Sequence, residues 1–425
     1  MKSGRILKNV LLLLALAALV ALPLLFGAAS AQGPVSSHPP FASCRILVKF
    51  HAETSPADKA ALHRAHGGRP IEEIPGIGVE VVEVPARAEE ALAAAYARSS
   101  LVEYAEPDYI AYALDGVVMP NDVSFPKQWG LNNIGQNYGT SQPGTPDADI
   151  DAPEAWGVTT GNSTVRVAIL DTGIDQDHED LKGKIFMSWD FTSSSSGVDD
   201  KYGHGTHVAG IAAAATNNGL GVAGVGYNSS LMNGKVLNDQ GSGYYSWIAN
   251  GIIWAADNDA KVINMSLGGG RGSQALKGAV NYAWNKGVVL AAAAGNSGSS
   301  SPLYPAYYTN CIAVAATDAN DWKASFSSFG KWVDVAAPGV DIYSTFPNHT
   351  YVIGKSLNYD YGSGTSMATP HVAGLAALVW ATSYGTSNSA VRARIETTAD
   401  RIVGTGKYWV YGRINACKAV GGNCQ

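Results

Sequence analysis

Charged residues and long apolar runs are both scarce in this chain. Only 15% of its 425 residues are charged and 46% are hydrophobic, so nothing in the composition indicates disorder and the apolar side chains suffice for a large buried core. After residue 26 no segment is apolar enough to span a bilayer. Internal repeats are absent, and the one low-complexity stretch, Thr192–Gly197, predicts a surface loop. These absences exclude a repeat array and a polytopic membrane protein.

The first 31 residues have the pattern of a secretory signal peptide. They carry three cations and no acid, then an apolar run over residues 10–26 and a small-residue cleavage site at Ala29-Ser30-Ala31. A retained membrane anchor is the alternative, because the run is long, but Pro23 and the small residues favour cleavage. We therefore expect a secreted, extracellular protein. Loss of the three cations takes the formal charge from −6 to −9, which argues against nucleic acid or a stable membrane association.

The sequence has only four cysteines, and none lies in a glycine-framed motif near a histidine. This argues against a cysteine nucleophile. Cys311 begins an apolar stretch and is predicted to be a buried free thiol, and Cys44 has no obvious partner. Cys417 and Cys424 enclose six residues, so an exported chain could join them in a disulfide or leave them free.

Residues 32–43 read as a polar linker, and residues 44–116 predict a small α+β domain. A short β-run precedes a helix that Ser55-Pro56 begins and Gly67 ends. The order is β-α-β-β-α-β, which is a ferredoxin-like unit. Its further predicted elements are strands at Arg69–Ile74, Val79–Val84 and Leu101–Glu106, and a helix at Pro85–Arg98.

Residues 117–425 alternate between β-rich apolar runs and helical patterns. Such alternation predicts a mostly parallel sheet with helices on both faces, in which ligands bind beyond the carboxyl ends of the strands. Asp171 directly follows one predicted strand. The predicted elements include strands at Val165–Leu170, Lys261–Ser266 and Val288–Ala293, and helices at Gly205–Ala215, Gln274–Asn285 and Gly412–Val420.

Three glycine-flanked motifs carry the candidate chemistry, and each is ambiguous alone. Asp171-Thr-Gly is a common turn and also an aspartic-protease signature, but that chemistry needs two copies and the chain has one. His204 and His207 share a helix face that could hold a metal, yet a zinc protease needs Glu where Gly205 stands. Gly-Thr-Ser at Ser366 is a routine helix N-cap.

Together the motifs, in the order Asp, His, Ser, resemble the subtilisin family of serine proteases and most closely its thermitase-like branch. The resemblance covers residues 119–420. It implies a subtilisin-like three-layer α/β fold and a secreted serine endopeptidase that hydrolyses peptide bonds through an acyl-enzyme. A catalytically silent scaffold protein is disfavoured because the triad and oxyanion motifs are complete. An esterase is disfavoured because Gly-x-Ser-x-Gly is absent around Ser366.

The resemblance also assigns roles. Ser366 is the nucleophile, His204 the general base and later acid, and Asp171 the residue that orients it. Asn296 and the Ser366 amide donate to the oxyanion, and His207 is a packing residue. Two cleft edges and a pocket tyrosine bind extended protein or peptide substrates, and Ser297 gives no support for a basic preference. The substrate-binding residues are Gly241, Ser242, Gly243, Tyr245, Ser266, Leu267 and Gly268.

Residues 44–116 resemble the family's propeptide, which assists folding and inhibits the enzyme until it is removed. Its tail, Glu106–Leu114, would then lie in the active-site cleft, and the mature, monomeric enzyme would begin near residue 117.

The same branch binds a structural Ca²⁺ ion through oxygen ligands near the mature N-terminus, after the catalytic aspartate and after the histidine helix. The matching positions are the side chains of Asp122, Asp180 and Asn218 and the carbonyls of Ala215, Leu220 and Val222.

Overall fold

A computed structural model of the protein describes residues 41–109, 116–137 and 143–424, and contacts divide the chain into two compact units, residues 1–111 and 112–425. The predicted signal peptide and residues 32–40 of the predicted linker lie outside the described residues. Among the described residues, no helix is long and apolar enough to cross a membrane.

The first unit is a four-stranded antiparallel sheet with two helices. Its elements are β1 (Phe41–Phe50), α1 (Pro56–His66), β2 (Arg69–Ile74), β3 (Val79–Glu83), α2 (Glu89–Tyr96) and β4 (Val102–Tyr109). The strand order β2-β3-β1-β4 confirms the ferredoxin-like prediction. Ser55 caps α1 by accepting a hydrogen bond from the Asp58 amide, and left-handed Gly67 ends the helix.

Three boundaries in this unit differ from the prediction by three residues or more. β1 begins at Phe41, so the last three residues of the predicted linker belong to a strand. α2 begins at Glu89 and not at Pro85, because Arg87 has a φ of 66° and interrupts the helical backbone. β4 extends to Tyr109, which pairs with Phe41, so the first four residues of the predicted tail are part of the sheet. The rest of that tail, residues 110–114, lies outside the described residues.

The second unit is built on one eight-stranded parallel sheet, as the alternating pattern predicted. Its strands are β5 (Arg166–Asp171), β6 (Ile185–Asp190), β7 (Ser230–Lys235), β8 (Ala260–Met265), β9 (Val289–Ala293), β10 (Ile312–Thr317), β11 (Val335–Pro338) and β14 (Gly412–Arg413). A separate antiparallel hairpin comprises β12 (Ile342–Thr345) and β13 (Tyr359–Gly362). The helices are α3 (Ala152–Val158), α4 (His204–Ala213), α5 (Tyr245–Asp257), α6 (Gln274–Asn285), α7 (Thr365–Trp380), α8 (Asn388–Thr397) and α9 (Ala416–Val420).

Asp171 lies at the point where the strand order reverses. The sheet order is β14-β11-β10-β9-β8-β5-β7-β6, so the chain adds β6 and β7 on one side of β5 and later strands on the other. Loops that leave the carboxyl ends of neighbouring strands diverge at such a point and open a crevice. The last residue of β5 therefore faces the position where a parallel sheet binds its ligands.

Alternate residues of each strand enter two different cores, which gives the three-layer architecture. Val167 and Ile169 of β5 pack in the core that contains α4 and α7. Ala168 and Leu170 of the same strand pack in the core that contains α5 and α6. The sheet is thus buried on both faces, which is why its strands read as nearly continuous apolar runs.

The predicted C-terminal helix Gly412–Val420 is wrong in its first half. Gly412 and Arg413 form β14 and pair with Val335 and Ala336 of β11, and only Ala416–Val420 is helical. Residues distant in sequence hold this segment in place, because buried Arg413 forms ion pairs with Asp321 and Asp400.

The cysteines take two states in the structure. Cys417 and Cys424 form a disulfide, which settles the alternative that the sequence left open. Cys311 is a buried free thiol, as predicted, and burial raises its pKa above the usual range. Cys44 is also free.

Candidate active site

The three motif residues lie at or near the ends of three elements of the second unit. Asp171 is the last residue of β5, His204 is the first residue of α4, and Ser366 lies in the first turn of α7. The structure brings Asp171 and His204 into direct contact, with 2.7 Å between Oδ1 of the aspartate and Nδ1 of the imidazole. Asp171 is fully buried, whereas 19% of the His204 side chain is exposed to solvent.

The surroundings of His204 raise the pKa of its imidazole. Burial alone would lower the pKa of His204, but the charge of Asp171, its hydrogen bond and the charge of Asp200 together raise the pKa above its usual value. Asp171 Oδ1 also accepts from the Thr172 amide at 2.8 Å. Its Oδ2 is buried with no hydrogen-bond partner among the described residues, so His204 is the main group that offsets the carboxylate charge.

His207 does not take part in this pair. It is fully buried, and its Nε2 contacts the carbonyl oxygens of Ile342 (3.1 Å) and Asp360 (3.3 Å). Burial, with a smaller contribution from the charge of His204, lowers the pKa of His207 to about 3. A histidine that stays neutral and bonds to backbone carbonyls has a packing role.

Ser366 is held at the start of α7 by a reciprocal contact with Ser266, the residue that follows β8. Its hydroxyl donates to the Ser266 carbonyl (3.1 Å), and the Ser266 hydroxyl donates to the Ser366 carbonyl (2.8 Å). Gly364 precedes the helix with a φ of 155°, and a Cβ there would lie 3.3 Å from Asn296 Nδ2. Glycine at 364 therefore lets α7 begin beside Asn296.

The orientation of the Asn296 amide follows from its partners. Its Oδ1 accepts from both the backbone amide and the hydroxyl of Thr365, each at 2.9 Å. The carbonyl oxygen is thus occupied, whereas Nδ2 has no hydrogen-bond partner among the described residues and is available as a donor. Thr365 itself is buried, and its hydroxyl also accepts from the Gly295 amide. Asn296 can therefore present N–H groups beside the start of α7.

A cleft of about 440 Å³ contains all seven predicted substrate-binding residues together with His204. One wall is formed by Gly241–Gly243 and Tyr245, and another by Ser266–Gly268. The hydroxyl of Tyr245 donates to the Arg271 carbonyl at 2.8 Å, which fixes the ring at the cleft.

The cleft also includes residues that the sequence reasoning missed, among them Thr172, Tyr202, Leu237 and Ile248. Thr172 belongs to the Asp171 motif, and Tyr202 lies two residues before His204. Their adjacency to Asp171 and His204 is the signal that could have identified them.

The predicted calcium residues form a second group away from the catalytic pair. Asp122 and Asp180 are buried, and among the described residues neither forms an ion pair with Lys or Arg. Asp122 accepts from the amide of Asn217 (2.7 Å), and Asp180 accepts from the side chain of Asn218 (2.8 Å) and the amide of Val222 (2.9 Å). Burial, together with the charge of Asp180, raises the pKa of Asp122.

Two buried like charges with amide groups around them fit a divalent cation with oxygen ligands. α4 ends at Ala213, so Ala215, Leu220 and Val222 lie in the loop after it, where carbonyl groups are free of helical hydrogen bonds. Rotation of the Asn218 amide by 180° would turn its oxygen toward Asp180, and this side-chain oxygen is one of the predicted ligands.

Comparison with known sequences gives two family matches. A profile of the subtilase family matches residues 162–413, and a profile of the fervidolysin N-terminal prodomain matches residues 30–108.

Individual relatives agree with these matches. Thermitase of Thermoactinomyces vulgaris is 56% identical over 271 residues, which are 64% of this chain and 93% of thermitase. The thermophilic serine proteinase of Bacillus sp. (strain AK1) is 43% identical over 376 residues, 88% of this chain and 86% of that protein. Among solved structures, a protease of Pseudoalteromonas arctica aligns with a TM-score of 0.61 and 33% identity, covering 71% of this chain and 98% of its own.

Proposed function

The chain belongs to the subtilase family of serine endopeptidases, and we propose that Asp171, His204 and Ser366 are its catalytic triad in a precursor that processes itself. The observation that carries this proposal is the buried Asp171–His204 contact of 2.7 Å beside the cleft. A buried carboxylate on the far side of an imidazole is the arrangement that makes His a base for a neighbouring hydroxyl.

In the proposed reaction the neutral His204 removes the proton from the Ser366 hydroxyl as this oxygen attacks the substrate carbonyl. Asp171 stabilises the imidazolium that forms. The Asn296 Nδ2 group and the Ser366 backbone amide donate to the oxyanion, the second from the N-terminal end of α7, where the helix dipole is positive. His204 then protonates the leaving amine, and water hydrolyses the acyl-enzyme by the same route.

We assign the substrate to the cleft as an extended peptide between Gly241–Gly243 and Ser266–Gly268, where backbone edges can pair with it. Tyr245, Leu237 and Ile248 give the cleft apolar surface, and no acid is among the described residues that line it. This composition supports a broad preference for apolar or aromatic residues in protein substrates.

We assign residues 1–31 to a signal peptide, 32–43 to a linker, 44–116 to the propeptide and 117–425 to the catalytic domain. Support for the propeptide comes from its ferredoxin-like fold and from its match to the fervidolysin prodomain. In this proposal the secreted precursor is inhibited by its own propeptide until cleavage near residue 116 releases a monomeric enzyme.

We also propose a structural Ca²⁺ ion held by Asp122, Asp180, Asn218 and the carbonyls of residues 215, 220 and 222. The ion would neutralise two buried carboxylates. Asp122 lies near the proposed mature N-terminus, so the same ligands would fasten that segment to the loop after α4.

The proposed function is tested by Ser366→Ala in the full-length precursor. We expect wild-type precursor to convert to a shorter form and to cleave added protein, and the Ala variant to remain at full length with a wild-type circular dichroism spectrum. Ser363→Ala is the matched control, because its hydroxyl contacts Asp341 and not the catalytic residues. Conversion of purified Ser366→Ala at the wild-type rate would overturn the proposal.

A further inference from the structure

A second buried aspartate joins the two chain segments that carry the catalytic pair. Asp200 is fully buried, and its carboxylate accepts five hydrogen bonds. Oδ1 accepts from the Thr172 hydroxyl (2.8 Å) and the amides of Tyr202 (3.1 Å) and Gly203 (2.8 Å). Oδ2 accepts from the amide (2.9 Å) and the hydroxyl (2.8 Å) of Thr206. No single element supplies these donors.

The donors lie on both sides of the Asp171–His204 contact. Thr172 directly follows Asp171, whereas Gly203 and Thr206 enclose His204 in sequence. The Thr172 hydroxyl also accepts from the Gly205 amide at 2.9 Å, which adds a direct link between β5 and α4. The two segments approach closely here, because a Cβ on Gly205 would lie 2.1 Å from the Gly173 carbonyl oxygen.

We propose that Asp200 is a positioning residue that holds the first turn of α4, and with it His204, at a fixed distance from the carboxyl end of β5. The inference rests on the proposed triad and adds a residue that touches neither substrate nor the reacting atoms. Asp200 acts through the Thr172 hydroxyl on one side and the Gly203 and Thr206 amides on the other. A misplacement of His204 by about 1 Å is enough to lower a rate about 100-fold.

Asp200 also contributes negative charge near His204. Burial lowers the pKa of His204, whereas the charge and hydrogen bond of Asp171 raise it and the charge of Asp200 raises it further. Removing that charge should therefore lower the pKa of His204 and leave the imidazole neutral at lower pH. The other titratable or charged groups around Asp200 and His204 are Asp171, His207, Lys235, Asp199, Lys201 and His349.

Asparagine cannot replace the Asp200 carboxylate in this network. An amide has one acceptor oxygen, so either the Thr206 pair or the set from Thr172, Tyr202 and Gly203 would face an N–H₂ group. A buried donor without an acceptor is costly, and the turn before α4 would shift to relieve it.

The test is Asp200→Asn in the full chain, with kcat and KM for a peptide substrate measured between pH 5 and 10. We expect kcat to fall on the order of 10–100-fold with KM little changed. We also expect the acid limb of kcat/KM to move to lower pH, which a purely structural defect would not produce.

Asp199→Asn is the matched control, because it removes the same charge one residue away. The Asp199 carboxylate is partly exposed and pairs with Lys201 at 2.7 Å. We expect its kcat and pH profile to equal those of the wild type. An Asp200→Asn enzyme with wild-type kcat and an unmoved acid limb would overturn the inference, and so would an equal effect of both substitutions.

Thr172→Val is the second test of the inference, to be used if Asp200→Asn does not fold. It keeps the charge at 200 and removes the Thr172 hydroxyl with its hydrogen bonds to Asp200 and from Gly205. We therefore expect kcat to fall roughly 10-fold with the acid limb unchanged. Wild-type kcat in that variant would contradict the inference. The proposed function is judged separately, because it fails only if wild-type protein lacks peptidase activity or keeps it after Ser366→Ala.

Discussion

At the scale of single residues, fixed hydrogen-bond partners decide which groups are available for chemistry. The Asn296 oxygen is occupied by Thr365, so only the N–H₂ group is free. His204 has Nδ1 on Asp171, so Nε2 is the nitrogen left to accept a proton. His207, one turn later in α4, is bonded to backbone carbonyls and stays neutral. Two histidines on one helix face therefore have different roles because their partners differ.

Asn296→Ala should lower kcat with little change in KM, because the lost N–H₂ group would stabilise the oxyanion and not the bound peptide. The expected loss is about 10²–10³-fold, a magnitude known from another member of this family and not deduced from the geometry. Steady-state kinetics on a peptide substrate measures it. Ser299→Ala, in the same loop but outside the Thr365 network, should keep wild-type kcat. A change confined to KM would assign Asn296 to substrate binding.

At the scale of elements, the β12–β13 hairpin contacts an acid of the proposed calcium site. Its second strand ends at Gly362, shortly before α7 begins at Thr365. The Tyr359 hydroxyl on β13 lies 3.0 Å from Asp180 Oδ2 and 2.9 Å from Glu179 Oε1, and its single proton is donated to one of these two carboxylates at a time. The Tyr359 ring packs edge-on against His178, whose Nε2 contacts the Asn358 carbonyl. Burial and these acids raise the pKa of Tyr359 above its usual range, so the phenol remains a donor.

Tyr359→Phe should weaken calcium binding, because Asp180 loses a donor that fixes its orientation. Residues that orient a metal ligand typically change affinity by about 10–100-fold, and calorimetric titration of chelator-treated protein with Ca²⁺ measures this. Melting with and without Ca²⁺ should show a smaller calcium-dependent rise in Tm.

Tyr351→Phe is the control for this prediction. It removes one tyrosine hydrogen bond, to the Ser356 carbonyl, in the segment that connects β12 and β13, and Tyr351 bonds to neither calcium acid. It should lower Tm equally with and without Ca²⁺. Wild-type calcium affinity in Tyr359→Phe would contradict the coupling, and a Tm that is independent of Ca²⁺ in the wild type would contradict the site itself.

Elements with strong local signals were predictable from the sequence, and those that depend on distant partners were not. α6 has the predicted bounds because Ser273 caps it by accepting from the Leu276 amide. The strand at Gly412–Arg413 was missed because its cause is pairing with β11 and buried ion pairs of Arg413.

The same distinction applies to the site. Asp171, His204, Ser366 and Asn296 could be proposed from the sequence because each stands in a recognisable motif. Asp200 was missed because its role depends on Thr172, which lies 28 residues away in sequence.

At the scale of the whole molecule, the catalytic unit is fastened at its N-terminal segment. The Asn121 amide donates to the Asn217 side chain, Gly219 donates to the Asn121 side chain, and Ser124 donates to the Gly221 carbonyl. This segment and the loop after α4 together surround the proposed calcium acids. Stability of the mature enzyme should therefore depend on Ca²⁺, whereas its chemistry depends on the crevice at the end of β5.

We propose above that Ser366 is the nucleophile and that His204 activates it. The most direct test of this proposal is to inactivate the processed enzyme with phenylmethanesulfonyl fluoride and to locate the adduct by peptide mass spectrometry. We expect one sulfonyl group on Ser366, in proportion to the activity lost, and no labelling of a folded His204→Ala protein. Complete inactivation with the adduct on another residue, or full peptidase activity with Ser366 modified, would contradict it.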